Sequence, residues 1–215
     1  MMFEQIAPVY VDQDLWLAAL VGYVLGSIPF GLLLTRAAGL GDVRKQGSGN
    51  IGATNVLRAG GKKLAAATLL LDLAKGLAPV LIARALFDQP ETMPEAAFGP
   101  VPIAALAAVM GHCFPVWLGF KGGKGVATNA GVCFGLAGPL GLTYAVVWLG
   151  VLGTLRISSL AGMSAVVCAA IAAAVLGYEG FVPVLAAIAV LVLWLHRENL
   201  KRLAKGEEPK LGGKK

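Results

Sequence analysis

Charged side chains are scarce in this 215-residue sequence: they make up 14% of the residues, against about a quarter in soluble globular domains. Hydrophobic residues account for 57%, and the mean hydropathy is +0.75. So few charges cannot cover the surface of a soluble fold. The apolar residues form blocks of about 15 to 25 residues, the length of a helix that crosses a bilayer. The sequence therefore predicts a polytopic membrane protein.

Cysteine and histidine are also rare, with three and two residues respectively. Cys113, Cys133 and Cys168 lie far apart in or beside apolar blocks, a spacing that favours neither a disulfide framework nor a zinc knuckle. We interpret them as small core residues. The net charge of +6 would suit nucleic acid if it lay on a soluble surface, but the basic residues lie between apolar blocks. We therefore expect no metal, no cofactor and no nucleic acid partner.

The N-terminus lacks the lysine or arginine that precedes the apolar block of a cleaved signal peptide. It carries Glu4, Asp12 and Asp14 instead. We expect an extracytoplasmic segment over residues 1–14, one membrane-embedded domain over 15–206 and a basic cytoplasmic tail over 207–215.

Five apolar blocks predict single spans, at about 15–36, 64–87, 101–118, 159–176 and 181–196. The block 126–155 is too long for one helix across a core of about 30 Å, and both of its ends are basic. Gly138 and Pro139 interrupt it, which predicts a hairpin of two short helices that returns to its starting side. The expected fold class is all-α, a bundle of about seven membrane helices, with room for another short helix after Asn55.

The lysines and arginines, apart from Arg84, fall after the first and third spans, around Arg156, in the tail, or just inside a span from those ends. The positive-inside rule then places the N-terminus outside and the C-terminus in the cytoplasm. Small residues four apart, such as Gly22 and Gly26, predict closely packed helices, and no internal repeat of the transporter kind is visible.

Two glycine-rich segments predict anion sites. Residues 47–55 alternate glycine with Ser, Asn and Thr, a pattern typical of turns whose N–H groups cradle an oxyanion, and Arg58 would add donors. An ordinary capped helix start is the alternative. Residues 120–128 place Lys121 and Lys124 among glycines before a helix, which would combine ammonium groups, free N–H groups and the helix dipole. A basic loop that only sets topology is the alternative here.

Two further segments carry polar side chains at helix ends. Ser158 and Ser159 offer hydroxyl donors where the hairpin returns, although helix capping explains them equally. His196 and Asn199 are three apart and would share a helix face, while Glu198 would pair with Lys201 or Arg202. The alternative is an interfacial helix end.

Asp72 and Lys75 stand three apart inside the second span. Ionisable groups at that depth need partners, so we expect the two to pair, as a structural clamp or beneath the polar site. His112 is expected to fill a structural place at the end of the third span.

The four polar clusters would bring anion donors to one membrane interface, which suits a phosphorylated metabolite that meets a fatty-acyl donor. The polar segments contain no carboxylate pair, no nucleophilic Cys with His and no metal-ligand set. This inventory favours orientation and charge stabilisation over covalent catalysis.

These segments resemble, in order, the signature segments of the bacterial acyl-phosphate:glycerol-3-phosphate acyltransferases of the inner membrane. The resemblance covers nearly all of residues 15–206 and rests on 48–55 with Arg58, 72–76, 111–115, 121–125, 158–159 and 196–199. It implies transfer of an acyl group from acyl phosphate to the 1-hydroxyl of sn-glycerol 3-phosphate, which yields lysophosphatidic acid and phosphate. It also implies contact with membrane lipid, a functional link to a soluble enzyme that makes acyl phosphate, and no cofactor.

The resemblance also implies roles for individual residues. The implied phosphate-binding residues are Lys121, Lys124, Arg58, Ser158 and Ser159. The implied glycine-rich pocket comprises Ser48, Gly49, Asn50, Gly52, Thr54, Asn55, Gly122, Gly123 and Gly125. The residues expected to take part in catalysis are His196, Asn199, Ser48 and Arg58; Glu198, Asp72 and Lys75 are expected to be structural.

Two questions stay open at the level of sequence. The proton acceptor is either His196 or a substrate phosphate. An imidazole with its ordinary pKa of about 6.5 is able to accept the proton. The His-x4-Asp motif of other glycerolipid acyltransferases is absent, because Trp117 and Lys201 stand five residues past the two histidines.

A transporter of a phosphorylated metabolite is the second candidate for the function, although the outer halves of the spans hold almost no ionisable residue besides Arg84 and Glu179. A non-catalytic lipid-binding protein is the third.

Overall fold

The computed structural model describes residues 12–87 and 98–212, and it contains no β-strand in these ranges. Most of the predicted extracytoplasmic segment, including Glu4, lies outside the described residues. The described part folds into nine α-helices: α1 Asp12–Gly26, α2 Phe30–Ala37, α3 Ala53–Leu86, α4 Pro100–Cys113, α5 Val126–Leu136, α6 Gly138–Leu155, α7 Ser158–Val175, α8 Val182–Leu195 and α9 Arg197–Ala204.

Five helical segments of the described ranges are long and apolar enough to cross a membrane, and a sixth is added when the bent pair α8 and α9 counts as one span. The five are Asp12–Ala37, Ala53–Leu86, Pro100–Leu118, Gly138–Leu155 and Ser158–Val175. The α-helical class is confirmed, and so is the apolar character that predicted membrane spans.

The first span is broken between α1 and α2. Pro29 lacks an N–H group and so removes one helical hydrogen bond, and the Ser27 hydroxyl donates back to the Val24 carbonyl oxygen at 2.7 Å. The Ile28 carbonyl oxygen at the break accepts the Phe30 N–H at 3.1 Å and also a hydrogen bond from Lys75 Nζ at 2.6 Å. A side chain from α3 therefore adds a hydrogen bond to the backbone at this break.

The short helix expected near Asn55 is present as residues 53–60 of α3. Gly61 then has φ 79°, a left-handed conformation that interrupts the helix, before 62–86 continues as the long span. The α3 bounds therefore include both a short helix beside the first polar loop and the second predicted span.

The block 126–155 forms a helical hairpin that turns at Ala137, one residue before the predicted break. The expectation of two short helices holds for α5, which has 11 residues, but is wrong for α6, whose 18 residues are long enough to span. Arg84, the basic residue that lies outside the basic segments, has a structural role. Its Nε and Nη2 atoms donate to the carbonyl oxygens of Gly135 and Leu136. Arg84 thereby satisfies carbonyl groups at the C-terminus of α5.

Helices pack closely where glycines face a neighbour. A Cβ atom built on Gly26 of α1 would lie 2.1 Å from the Ala108 carbonyl oxygen of α4, and one built on Gly76 of α3 would lie 2.0 Å from the Thr128 carbonyl oxygen of α5. The small-residue packing predicted at Gly26 is therefore confirmed.

Substitution of Gly26 with alanine should lower the free energy of unfolding by about 1–3 kcal/mol, because the new methyl group overlaps the α4 backbone. Thermal unfolding in lipid nanodiscs measures the effect. Gly150→Ala is the matched control, since a Cβ there has no atom within 4 Å. Equal melting temperatures for the two variants would contradict the close approach of α1 and α4.

Candidate functional site

The polar segments meet at one end of the helix bundle. The loop 38–52, the loop 114–125, the start of α7, the bend between α8 and α9, and the tail 205–212 supply the side chains described below. Two groups can be distinguished there, an outer cleft around Lys121 and an inner cluster around Lys124.

Asn55 organises the first glycine-rich loop from a buried position. Its Nδ2 atom donates to the carbonyl oxygens of Val43, Gln46 and Asn50 at 2.8–3.0 Å, and its Oδ1 atom accepts the Ser48 N–H at 2.9 Å. All polar atoms of its amide are thus used inside the protein. The arrangement makes Asn55 the support of the loop rather than a ligand of an anion.

Three N–H groups of this loop are bonded inside the protein. The Ser48 N–H donates to Asn55 Oδ1, the Gly49 N–H to the Gln46 carbonyl oxygen, and the Gly52 N–H to Asn50 Oδ1. Asparagine side chains and a turn carbonyl therefore compete with an anion for these three groups, and the oxyanion cradle stays a prediction for the rest of the loop. The side chain of Ser48 remains exposed, and those of Asn50 and Thr54 are half-buried.

The lysine loop is fastened to the end of α4. The Gly122 N–H donates to the Cys113 carbonyl oxygen and the Gly123 N–H to the His112 carbonyl oxygen, both at 3.0 Å. These two N–H groups are therefore not free for an anion, contrary to the expectation from sequence. The buried His112 ring leaves no room for a side chain at Gly123, where a Cβ would lie 1.8 Å from Nε2. This contact gives His112 the structural place expected for it.

Gly125 is the residue before the first turn of α5, and its φ is 82°. A residue with a side chain is strained in this left-handed conformation, so the turn from the lysine loop into α5 requires glycine. Lys121 and Lys124 stand on either side of Gly122 and Gly123; Lys121 lies in the outer cleft and Lys124 in the inner cluster.

The outer cleft has a volume of about 350 Å³ and lies between the two glycine-rich loops. Its lining residues are Asp42, Arg44, Lys45, Gly49, Lys121 and Gly122. Arg44 pairs with Asp42 at 2.6 Å, and this hydrogen-bonded ion pair holds the pKa of the Asp42 carboxyl well below its usual range. Lys45 and Lys121 are exposed cations at this cleft, so it can hold an anion.

Sequence reasoning counted Arg44 and Lys45 only as topology-setting charges and did not assign them to a site. Arg58 is exposed on the short helix 53–60 and lies near Gly47. A Cβ atom built on Gly47 would lie 3.7 Å from Arg58 Cδ. Arg58 therefore lies beside the first glycine-rich loop, as predicted from the spacing.

The inner cluster joins three of the predicted residues. Lys124 Nζ donates to Asn199 Oδ1, Asn199 Nδ2 donates to Glu208 Oε1 at 2.6 Å, and the Ser159 hydroxyl donates to the same oxygen at 2.6 Å. Arg202 Nε donates to Glu208 Oε2 at 2.7 Å. Because its hydrogen is held by Glu208, the Ser159 hydroxyl cannot donate to a phosphate at the same time. Ser158 beside it is half-buried.

Glu208 and Arg202 are members of this cluster that sequence reasoning did not assign to the site. Glu208 lies in the segment read as a basic tail, past the last recognisable motif. The available signal was a carboxylate among basic residues, six positions beyond Arg202. A charge pattern of this kind does not indicate that the tail folds back onto α9.

His196 is buried at the bend of 61° between α8 and α9. Its Nδ1 atom lies 2.8 Å from the Val192 carbonyl oxygen. A carbonyl only accepts, so Nδ1 carries the hydrogen and the neutral ring keeps its lone pair on Nε2. The helix breaks at His196, which is the N-cap of α9, and Asn199 lies in the first turn of that helix. Both residues lie at the site.

The ion pairs expected from the spacing are present. Lys75 Nζ lies 2.8 Å from Asp72 Oδ1 with both side chains 2% exposed, and Lys201 Nζ lies 3.0 Å from Glu198 Oε1. Glu198 is exposed, while Arg202, the alternative partner, binds Glu208 instead. In the ranges 12–87 and 98–212, no group of three His, Cys, Asp or Glu side chains is placed to hold a metal ion.

Comparison with known proteins decides the family. A family model described as glycerol-3-phosphate acyltransferase matches residues 16–206. The chain belongs to the glycerol-3-phosphate acyltransferase family. A glycerol-3-phosphate acyltransferase of Erythrobacter litoralis is 63% identical over 203 residues, covering 94% of this chain and 98% of the relative. One of Agrobacterium fabrum is 53% identical over 198 residues, covering 92% of both chains.

Solved structures agree with this assignment of an acyltransferase. Crystal structures of PlsY, an integral membrane glycerol 3-phosphate acyltransferase, superpose with TM-scores of 0.84 for the glycerol 3-phosphate form and 0.82 for the lysophosphatidic acid form. The sequence identities are 39% and 38%, and each comparison covers 93% of this chain and 96% of the other. The acyltransferase is thus an integral membrane enzyme of lipid synthesis that acylates glycerol 3-phosphate.

Proposed function

We propose that the acyltransferase takes its acyl group from an acyl phosphate and transfers it to the 1-hydroxyl of sn-glycerol 3-phosphate. This proposal is supported by two neighbouring cationic sites, the outer cleft at Lys121 and the inner cluster at Lys124. A reaction whose donor and acceptor each carry a phosphate needs two such places. The products are 1-acyl-sn-glycerol 3-phosphate, which is lysophosphatidic acid, and inorganic phosphate.

The proposed reaction is a direct transfer. The glycerol hydroxyl oxygen bonds to the acyl carbonyl carbon, the bond from that carbon to the phosphate oxygen breaks, and phosphate leaves. The hydroxyl proton passes to His196 Nε2, which its Nδ1–H bond to Val192 leaves able to accept it. A phosphate of a substrate is the alternative acceptor. Lys124 stabilises the negative charge that develops at the reacting centre.

The remaining roles extend from these positions. Lys121 and Arg58 bind substrate phosphate from their exposed positions, and Ser158 does so at the start of α7, next to Ser159. Ser48 and Thr54 shape the entrance formed by the glycine-rich loops. Asn199 orients the reacting groups through Lys124, to which it is bonded. Asp72 and Lys75 support the site from inside the bundle through Ile28.

We also propose the membrane arrangement of this acyltransferase. Residues 15–206 form one membrane-embedded domain of seven membrane helices when α5 is included, with residues 1–14 outside and residues 207–215 as a cytoplasmic tail. The concentration of basic residues at the site end supports a site that faces the cytoplasm across the bacterial inner membrane. A soluble enzyme that makes acyl phosphate would deliver the donor at that face.

A single-turnover assay of the full chain in lipid nanodiscs tests the donor. Palmitoyl phosphate with labelled glycerol 3-phosphate should yield labelled lysophosphatidic acid, whereas palmitoyl-CoA should yield none. Product from palmitoyl-CoA alone would refute the acyl phosphate donor. Uptake of glycerol 3-phosphate into proteoliposomes without product would instead support the transporter that was the second candidate.

Substitution of Lys121 with alanine should raise KM for glycerol 3-phosphate about tenfold and change kcat less, because an exposed charge–phosphate contact is lost. Steady-state kinetics with saturating palmitoyl phosphate measure the split. Lys210→Ala removes an exposed lysine of the tail and serves as the control. An unchanged KM for glycerol 3-phosphate in Lys121→Ala would show that the outer cleft does not bind this substrate.

A further inference from the structure

The Glu208 carboxylate is a buried acceptor in a part of the chain that no motif covers. Its side chain is 7% exposed and accepts hydrogen bonds from three side chains, Ser159, Asn199 and Arg202. The three donors start from α7 and α9, so Glu208 connects two helices through donors as far apart in the sequence as Ser159 and Asn199. Burial opposes ionisation, but these hydrogen bonds outweigh it and lower the pKa of Glu208.

The tail is held on both sides of Glu208. The Glu207 N–H donates to the Arg202 carbonyl oxygen at 2.8 Å, and the Leu211 N–H donates to the Arg156 carbonyl oxygen at 2.7 Å. Arg156 Nε and Nη2 return hydrogen bonds to the Leu211 carbonyl oxygen. The carboxylate is therefore placed by backbone contacts as well as by its own bonds.

The placement of Glu208 decides which way the Asn199 amide points. An ionised carboxylate only accepts hydrogen bonds, so the amide must turn its Nδ2 toward Glu208 and its Oδ1 away from it. The Oδ1 atom then faces Lys124 Nζ and accepts from it. The opposite orientation would place the amide oxygen against the carboxylate and the amide hydrogens against the ammonium group.

We propose that Glu208 is a positioning residue of the acyl-transfer site, which orients the Asn199 amide so that Asn199 holds the Lys124 ammonium group in place for the substrate. This inference rests on the proposed function, since it takes Lys124 as the cation that serves the reaction. Glu208 itself does not touch the reacting atoms. It acts through Asn199, and the tail thus completes the site.

Charge supports the same role. Burial lowers the pKa of Lys124, and the cations Arg202 and Arg197 lower it further, whereas Glu208 and the more distant Glu198 raise it. His196 is a further titratable group that faces Lys124. Loss of the Glu208 charge should therefore lower the Lys124 pKa, so that activity declines at a lower pH on the alkaline side.

The first test compares Glu208→Gln with Glu207→Gln, a matched control because Glu207 is the adjacent glutamate and its side chain is exposed. Both full-length variants are assayed in nanodiscs with palmitoyl phosphate and glycerol 3-phosphate between about pH 6 and 10. Glu208→Gln should raise KM for glycerol 3-phosphate about tenfold and move the alkaline limb of kcat/KM to lower pH. Glu207→Gln should keep the wild-type values.

The second test exchanges the amide and the carboxylate. Asn199→Asp places two carboxylates together and should lose about tenfold or more of kcat/KM, because the donor to Glu208 is gone. In the double variant Asn199→Asp with Glu208→Gln, the glutamine amide can donate to the aspartate, whose other oxygen accepts from Lys124. The double variant should therefore recover at least part of the activity lost in Asn199→Asp.

Wild-type KM and pH profile in Glu208→Gln would overturn the positioning role, as would a double variant no more active than Asn199→Asp. Thermal unfolding in the same nanodiscs identifies a variant that does not fold. If Glu208→Gln is such a variant, recovery in the double variant decides the question alone. A failure of the proposed function is distinct, because the wild-type protein would then make no lysophosphatidic acid from palmitoyl phosphate.

Discussion

Replacement of His196 with glutamine is expected to lower kcat by about 100- to 10,000-fold, which is the range that a general base contributes. The imidazole donates from Nδ1 to the Val192 carbonyl oxygen, which leaves Nε2 as the ring atom that would take the hydroxyl proton in the proposed reaction. A glutamine amide has a similar size and can keep a hydrogen bond to Val192, but it has no basic nitrogen. Single-turnover rates with palmitoyl phosphate and saturating glycerol 3-phosphate measure the chemical step directly.

The binding constants and the melting temperature are the controls for His196→Gln. Because the loss concerns proton transfer, KM for glycerol 3-phosphate should stay within about threefold of the wild-type value. A variant with near wild-type turnover would exclude His196 as the base. The phosphate of a substrate would then be the proton acceptor.

Replacement of Lys75 with methionine is expected to lower the free energy of unfolding by about 3–5 kcal/mol, because it leaves a buried carboxylate without its cation. Asp72 and Lys75 are both 2% exposed, and their charged atoms lie 2.8 Å apart. The substitution also removes the donor to the Ile28 carbonyl at the break between α1 and α2. Unfolding in mixed detergent micelles, followed by circular dichroism, measures the change.

Lys63→Met is the matched control for Lys75→Met, since Lys63 is an exposed lysine of the same helix and should change stability by less than about 0.5 kcal/mol. The double variant Asp72→Asn with Lys75→Met should regain part of the loss, because no charge is left buried alone. Wild-type stability in Lys75→Met would show that the buried pair does not clamp α3 to the first span.

Local sequence signals predicted one helix break and missed another. Gly138 and Pro139 marked the turn of the hairpin, which the structure places at Ala137. The length of α6 was missed because Gly138 and Pro139 lie in its first turn, where proline is tolerated, and not in the loop between the helices. The break at Pro29 was missed because apolar residues continue on both sides of it and hide it in a hydropathy pattern.

The site residues divide in the same way. The glycine-rich loops, Lys124, Ser159, His196 and Asn199 were identified from residue type and position. The direction of their hydrogen bonds was not, because an asparagine such as Asn55 can donate or accept, and the choice depends on the atoms around it. Several N–H groups expected to face an anion, those of Ser48, Gly49, Gly52, Gly122 and Gly123, bind nearby carbonyl and amide oxygens instead.

Residue composition and the length of the apolar blocks were enough to predict a membrane-embedded α-helical bundle with basic, glycine-rich loops. The reason is that a helix must be long and apolar to cross a bilayer, and both properties are visible in a sequence. The contact of Lys124 with Asn199, 75 residues away, and the contact of Glu208 with Asn199 from the tail are visible only in the folded protein. Such contacts depend on how whole helices pack and where the chain folds back, which no local pattern records.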